Sequence, residues 1–566
     1  MLSRKRAVVF ALILVVCSLT FATLSVKLYL PDGAPYDLSG WRSKPVDPAS
    51  SLLPEVNETV MALPPKDYTI TDADGICSRF SPVYFEDFQA HRASYCNPDS
   101  SAKLTCFHRL SEFNGKTDSF CYAQGAVLDV QQKKFHLNCA LRQFSEQEEN
   151  DGLLPFDRLP SYWYETGPAS IFSAAIDVRA SVISPAVARV GDGFEEEKGS
   201  PQDTPQPIED DPVPSVAPPK TLLLLKREGE GNPWHSLMEI FSTYMTFDIL
   251  RMPTGISKNQ APLFSDPSDS DDTQVVILDD RGDGPYFDLW TLYARRRPLR
   301  LSELLVDQAT VENLASVNLV VPLAGSSNPF WQDDAHAEQC TNSPTLNVFS
   351  RRVLDFYGVQ GPPLRTQEKP LMVTFVWRRE HRRLKNENFL LAKLSRMNPH
   401  ISVQMVDFAA HSFSEQVRVA QESDVLVGIH GAGLTHSIFM RQGASAVVEI
   451  QPEGLDHHGF RNVAGMRGLG YFRTHAKIIP PESWSAGELT AAVDGMQKVD
   501  RTYNDTEQAT RQDSNRIITG KRRQKIERRE KWHFNDIEIE EGRFFEVVEA
   551  AIKFMYNKGP WSFDMK

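Results

Sequence analysis

The stretch Val425–His436, VLVGIHGAGLTH, decides how this chain folds. Val425–Ile429 is short, apolar and β-branched, as expected of a strand buried on both faces. Leu434–Arg441 has the spacing of a helix, and His430-Gly431-Ala432-Gly433 lies between the two. In open α/β sheets, ligands bind beyond the carboxyl ends of strands. Glycines there let backbone N–H groups approach a diphosphate, and the N-terminus of the next helix adds a partial positive charge. A tight turn that needs glycine only for its φ angles would look the same in isolation.

Working outward, further apolar runs occur at Thr221–Leu225, Val275–Leu278, Leu319–Leu323, Met372–Val376, Val403–Val406 and Ala446–Ile450. Helical patterns at His235–Leu250, Ser302–Ala315, Glu387–Met397 and Ser414–Glu422 alternate with them. This alternation predicts an α/β fold of two doubly wound, Rossmann-type domains with parallel sheets and a cleft between them. The expected domains are 221–362 and 363–480, divided at the Pro/Gly-bearing linker Gly361–Lys369, with closing helices over 481–566.

The N-terminal third reads differently. Arg4, Lys5 and Arg6 precede an uncharged, mostly apolar stretch, Ala7–Val26, which as a helix of ~1.5 Å per residue spans a bilayer core of about 30 Å. A cleaved signal peptide would have a shorter apolar core and a small-residue cleavage site. The expectation is a transmembrane signal anchor of type II, with residues 1–6 cytosolic and the rest lumenal; whether it is cleaved stays open. Residues 27–66 have the composition of a stem, and 191–220 those of an acidic, Pro-rich disordered loop. Between them, residues 67–190 read as a β-leaning, Cys-rich lumenal subdomain.

Cysteine usage agrees with an oxidising compartment. Beyond Cys17 in the apolar stretch are Cys77, Cys96, Cys106, Cys121, Cys139 and Cys340, an even set of disulfide candidates. Five fall between residues 77 and 139, so one of those either stays free or reaches Cys340. Asn57-Glu-Thr59 and Asn504-Asp-Thr506 are N-glycosylation sequons. The formal net charge of −13 argues against nucleic acid as partner, since phosphate binding needs a basic surface. The basic run Lys521–Lys531 reads as a solvated helix face. The C-terminus, Ser562–Lys566, is no KDEL-type signal, which favours the Golgi membrane over the ER.

Several polar residues fall at strand ends. Arg378 follows Val373–Val376, where a guanidinium can pair with phosphate. Glu449 ends the next run, where a carboxylate can accept from ribose hydroxyls. Asn232 opens a helix, with Glu239 four residues after His235 on the same face. Either His235 or Glu239 could take a proton from an acceptor hydroxyl. Asp279 and Asp280 lie at another strand end, and the Arg281-Gly282-Asp283 tripeptide is coincidental. Asp269 and Asp271 have metal-binding spacing but sit in a polar loop, so no metal site is expected.

NPWHSLMEIFSTYM (Asn232–Met245), VVILDDRGDGPYFDLW (Val275–Trp290), VTFVWRREHRRLKNENFL (Val373–Leu390) and SDVLVGIHGAGLTHSIFM (Ser423–Met440) together resemble glycosyltransferase family 61, most closely its fungal members. The family includes plant core β-1,2-xylosyltransferases and EGF-domain-specific O-GlcNAc transferases. The resemblance implies a GT-B-like, inverting enzyme that uses a UDP-sugar, UDP-xylose or UDP-GlcNAc, and a glycan or glycoprotein acceptor. It implies no obligatory cofactor, with room for stimulation by Mn2+. It places Arg378, Asn386, His430, Gly431, Gly433, Leu434, Thr435, His436 and Glu449 on the donor side. Asn232 faces the acceptor, and His235, Glu239 and Asp280 are the catalytic candidates. Glu239 stands where several relatives have Asp. Two rivals remain: a non-catalytic carbohydrate-binding or assembly protein on the same fold, and an esterase-like α/β hydrolase. The latter needs a G-x-S-x-G elbow, which Gly443-Ala-Ser445-Ala-Val447 does not complete.

Overall fold

The computed structural model describes Tyr68 and residues 77–111, 116–180, 220–252, 263–264, 272–306, 314, 316–332, 336–361, 369–379, 381–479, 532–533, 535–557 and 562–565. The expected anchor and stem, both sequons, the acidic loop up to residue 219, linker residues 362–368, Asp269, Asp271 and the basic run Lys521–Lys531 lie outside them. Among the described residues no helix is long and apolar enough to cross a membrane.

The chain is mixed α/β, with two sheets. The first contains β1 (Arg92–Ser94), β2 (Lys103–Leu110), β3 (Thr117–Asp129), β4 (Lys134–Asn138), β5 (Ile176–Arg179), β6 (Thr221–Leu225), β7 (Thr273–Ile277), β8 (Leu299–Arg300) and β9 (Val317–Val321). Its order is β1-β2-β3-β9-β6-β7-β8, with β4 on β3 and β5 on β4. β9, β6, β7 and β8 are parallel. β3 runs antiparallel to β9, pairing Cys121 with Val321 and Ala123 with Leu319. The cysteine-rich segment therefore supplies one side of this sheet. Its disulfides are Cys106–Cys121, across paired positions of β2 and β3, Cys96–Cys139, and Cys77–Cys340. Of the two possibilities left open for the fifth cysteine, Cys77 takes the second and reaches Cys340.

The second sheet contains β10 (Leu371–Val376), β11 (Ile401–Val406), β12 (Val425–Ile429), β13 (Ala446–Pro452), β14 (Gly470–Ile479), β15 (Asp536–Glu538) and β16 (Ser562–Met565). The order is β11-β10-β12-β13-β14-β15, with β16 also on β14, and only β15 is antiparallel to its neighbour. β14 carries Arg473, His475 and Lys477, so no apolar run announces it in the sequence.

Alternation along each strand splits the side chains between two faces. Leu222, Leu224, Val276 and Leu319 pack in one cluster, with Leu304 and Ile171. Leu223, Val275 and Val320 face the other way, into a core that also holds Leu426 and Val447 of the second sheet. The Pro233–Arg251 helix, through Leu237, Phe241 and Tyr244, and the Ala432–Phe439 segment, through Leu434, Ile438 and Phe439, belong to that same core. The facing sides of the two halves are thus joined by continuous packing. The Glu541–Met555 helix covers the far face of the second sheet, placing Phe544, Val547 and Ile552 near Val373 and Val427.

The Pro233–Arg251 helix starts where Asn232 accepts from Trp234 N at 3.0 Å and Pro233 occupies the first turn. It is buried on nearly every side, so its hydroxyls bond its own backbone: Thr243 and Thr246 donate to the carbonyls of Glu239 and Ser242, each at 2.9 Å. Ala432–Phe439 is a 3-10 helix, where the sequence predicts an ordinary helix over Leu434–Arg441. Close packing fits that tight geometry: Cβ atoms at Gly428 and Gly433 would lie 2.8 Å from Leu434 and Val376.

Candidate active site

β11 lies on one side of β10, while the chain crosses to place β12 on the other. That reversal is the topological switch point of the second sheet, where ligands of open α/β folds bind. Arg378 follows β10, and His430-Gly431 follows β12, so both flank it.

Gly431 has φ 144° and ψ −179°, a conformation nearly reserved for glycine. A Cβ there would lie 2.6 Å from Arg382 Nη1 and 2.8 Å from Arg378 Nη1. Two guanidinium groups therefore converge on one turn. Arg382 donates to the His430 carbonyl at 2.8 Å, and Arg378 Nε to the His381 carbonyl at 2.9 Å. Neither makes an ion pair among the described residues, and Arg382 Nε is buried without a partner. Burial pushes Arg378 down to about 10, and burial with repulsion from Arg378 pushes Arg382 down to about 9. Arg382 also lies over the Trp532 ring, 5.3 Å from its centroid. Two partly buried cations without counter-charges among the described residues are a costly arrangement that an anionic ligand would relieve.

The Glu449 side chain is fully buried. It accepts from His430 Nδ1 at 2.6 Å and from the Tyr471 hydroxyl, so both oxygens are engaged inside the protein. It thus holds His430, where a ribose contact was expected from sequence. Burial works against the Glu449 charge, but those donors outweigh it and keep the carboxyl below its ordinary range. Burial lowers His430 from its usual value against the pull of Glu449. The result is a neutral imidazole with its proton on Nδ1 and a lone pair on Nε2.

The rest of the motif packs. Leu434 and Thr435 are buried, and Gly433 lies against β10. His436 stacks on Phe408 at 3.9 Å, with its nitrogens 2.9 Å from the Gly433 carbonyl and 2.7 Å from Gln416. Both ring nitrogens of His436 are therefore occupied within the core. Asn386 is exposed in a left-handed conformation, φ 61°, at the start of the Glu387–Met397 helix, and its side chain makes no capping bond.

Across from this turn, Trp234 of the first half meets Phe460 at 5.6 Å, and Phe460 lies 5.6 Å from His430. His235 is the next residue of the Pro233–Arg251 helix. Its Nδ1 is 3.3 Å from Glu228, a fully buried carboxylate that also accepts from Ser326 N at 3.0 Å. The ring lies edge-on to Trp331 at 4.3 Å and to Tyr164 at 5.8 Å. Glu239, the other base candidate, is buried. One oxygen accepts from Glu228 N at 2.6 Å and the other has no partner. Burial, then the Glu228 charge, raise its carboxyl well above the usual range. That shift disfavours the charged carboxylate form in which a base accepts a proton. Asn232 is exposed, and its side chain caps the helix. Asp279 is bound by Arg227 at 2.7 and 3.2 Å, while Asp280 is exposed.

Residues 234–448 match the Glycosyltransferase 61 family. Over those residues the chain is similar to this family. Its similar proteins include EGF domain-specific O-linked N-acetylglucosamine transferases. That of Drosophila melanogaster is 24% identical over 269 residues, 47% of this chain and 48% of the relative. Those of Bos taurus and Canis lupus familiaris are each 32% identical over 152 residues, 25% of this chain and 27% of the relative. The chain thus spans about half, or less, of the curated relatives it matches. The family segment runs from Trp234 into β13 and contains His235, Glu239, Arg378, Arg382 and the glycine turn.

Arg382 and Glu228 were missed by sequence reasoning. The run Arg378-Arg379…Arg382-Arg383 carries a signal for the first, but only the fold tells its members apart. Arg379 and Arg383 pair with Asp407 and Asp536, and the other two turn inward. Nothing in the sequence singles out Glu228. Among the described residues, the group of Cys, His, Asp or Glu close enough to share an ion is Cys77, Glu338 and Cys340, whose sulfurs are bonded to each other.

Proposed function

We propose that this chain is an inverting glycosyltransferase of GT-B-like design. It would move a sugar, xylose or N-acetylglucosamine, from a UDP donor to a hydroxyl of a glycan or glycoprotein. The observation that carries the reading is the pair of guanidiniums, Arg378 and Arg382, that converge on Gly431 at the switch point with no carboxylate partner among the described residues. A nucleotide diphosphate has the charge and size for that turn. The family supports transfer chemistry, and the relatives' names favour N-acetylglucosamine.

In this reading the acceptor oxygen attacks the anomeric carbon as its bond to the diphosphate breaks. Arg378, Arg382 and the Gly431 turn take up the charge on the departing UDP. His235 Nε2 accepts the acceptor proton, with Glu228 holding the other ring proton in place. Glu449 positions His430 beside the leaving group. A type II anchor at Ala7–Val26 and a Golgi lumenal location belong to the same proposal, supported by the basic residues before that stretch and by three disulfides.

The test is a panel of nucleotide sugars incubated with the purified full chain, scored for free UDP without and with glycan and glycoprotein acceptors. UDP release from one donor, reduced ~10²–10³-fold by Arg378→Ala, is the expected result. Sugar binding without release or transfer would favour the non-catalytic rival.

A further inference from the structure

Trp163 and Tyr164 are 61% and 47% exposed, and they stand on consecutive positions in the segment Tyr162–Thr166. Large aromatic rings rarely remain in water without a reason. This pair sits on unusual backbone: Tyr164 and Glu165 have φ of 58° and 54°, a left-handed region that residues other than glycine seldom enter. The surrounding structure holds the segment there. The Tyr162 hydroxyl donates to Asp118 at 2.6 Å, and Tyr162 and Thr166 form an isolated antiparallel bridge. Gly167, φ 88°, lets the Tyr162 ring close in, since a Cβ there would lie 2.5 Å from it.

The segment also touches the candidate active site. Lys226 Nζ donates to Glu165 at 2.7 Å, and two residues further Glu228 holds His235. The Tyr164 ring lies 5.8 Å from the His235 ring, with Trp331 on His235 at 4.3 Å. His235 is thus flanked by aromatic rings, one of them continuing into an exposed aromatic pair.

We infer that Trp163 and Tyr164 form the acceptor subsite, a stacking platform for a pyranose ring whose hydroxyl points at His235. The C–H face of a pyranose carries slight positive charge and packs on the negative face of an aromatic ring. Polar groups beside the platform, Glu165 and Lys226, suit the rim hydroxyls of a sugar better than an apolar peptide. This inference rests on the glycosyltransferase reading and adds that the acceptor is itself a glycan. The platform precedes the family segment, which starts at residue 234, so it can distinguish this chain from relatives named for a protein acceptor.

The test uses the full chain and the variants Trp163→Ala, Tyr164→Ala and Trp163→Phe. In the first arm each is applied to an array of pyranose oligosaccharides and of unglycosylated peptides. Wild type should bind a glycan subset, the alanine variants should lose about tenfold in affinity, and Trp163→Phe should retain most of it. In the second arm, acceptor KM should rise about tenfold in the alanine variants and stay near the wild-type value in Trp163→Phe. Equal glycan binding by wild type and alanine variants would overturn the inference, as would wild-type binding to peptides alone or to nothing. The array does not depend on turnover. Failure of the glycosyltransferase reading would show instead as wild type releasing UDP from no donor, so the two failures remain distinct.

Discussion

Replacing Arg382 by Met should make the protein more stable and nearly inactive. Burial and then Arg378 hold the guanidinium down at about 9, well below its ordinary value. At about 1.4 kcal/mol per pKa unit, this sets an upper limit of about 5 kcal/mol on the unfavourable burial and repulsion. Solvent that still reaches the side chain reduces that figure, and the lost bond to the His430 carbonyl offsets about 2 kcal/mol more. A net gain of about 1–2 kcal/mol remains, with the left-handed backbone at residue 382, φ 57°, unchanged by the substitution. The sign can be checked by pH. A base whose folded pKa is depressed binds fewer protons in the native state, so wild-type stability should rise as pH passes upward through about 9. The Met variant should lack that rise. Saturating UDP should stabilise wild type, by about 2.7 kcal/mol at 100 times its dissociation constant, and should barely affect the variant. Denaturant unfolding at pH 7 and 9.5, with and without UDP, measures these terms, and UDP release should fall ~10²–10³-fold. A variant less stable than wild type, or one with near-normal release, would refute the view that Arg382 is an uncompensated cation awaiting a diphosphate.

Three further outcomes follow from named contacts. Glu239→Gln should leave transfer within a few-fold of wild type, because burial and the Glu228 charge push the native carboxyl toward its protonated form. An acid raised on folding loses stability as pH climbs above its unfolded value, so this variant should gain on wild type as pH rises above the ordinary carboxyl range in chemical unfolding; abolished transfer in a folded variant would restore Glu239 as the base. Glu449→Gln should cost about 1–2 kcal/mol of stability and lower kcat about 10²-fold by releasing the His430 tautomer, and unchanged kcat would remove Glu449 from the positioning role. Replacing Cys77 and Cys340 by Ala should cost about 3–5 kcal/mol, because that bridge closes a loop with a sequence separation of 263; an unchanged denaturation midpoint would contradict it.

Much of the α/β frame was legible in the sequence because it rests on local pattern. The runs at Thr221–Leu225 and Val425–Ile429 coincide with β6 and β12, and Glu387–Met397 is a helix as its spacing predicts. The glycine turn was legible for the same reason: Gly431 has a backbone conformation that few other residues tolerate. Strands paired across long separations were not legible. β14 carries charges, and β3 meets β9 through a register that no local pattern encodes.

The sequence by itself determined the alternation of elements, the glycine turn after β12 and the residue types available around it, since periodicity and backbone preference act over a few positions. Only tertiary structure decided what those residues do. Glu449 turns inward to His430 and Tyr471, Glu239 is pushed toward its protonated form by burial beside Glu228, and two of four neighbouring arginines find carboxylates while Arg378 and Arg382 converge on Gly431. A charge's role depends on its depth and on partners brought from distant positions, and both are set when the two sheets pack on their shared core.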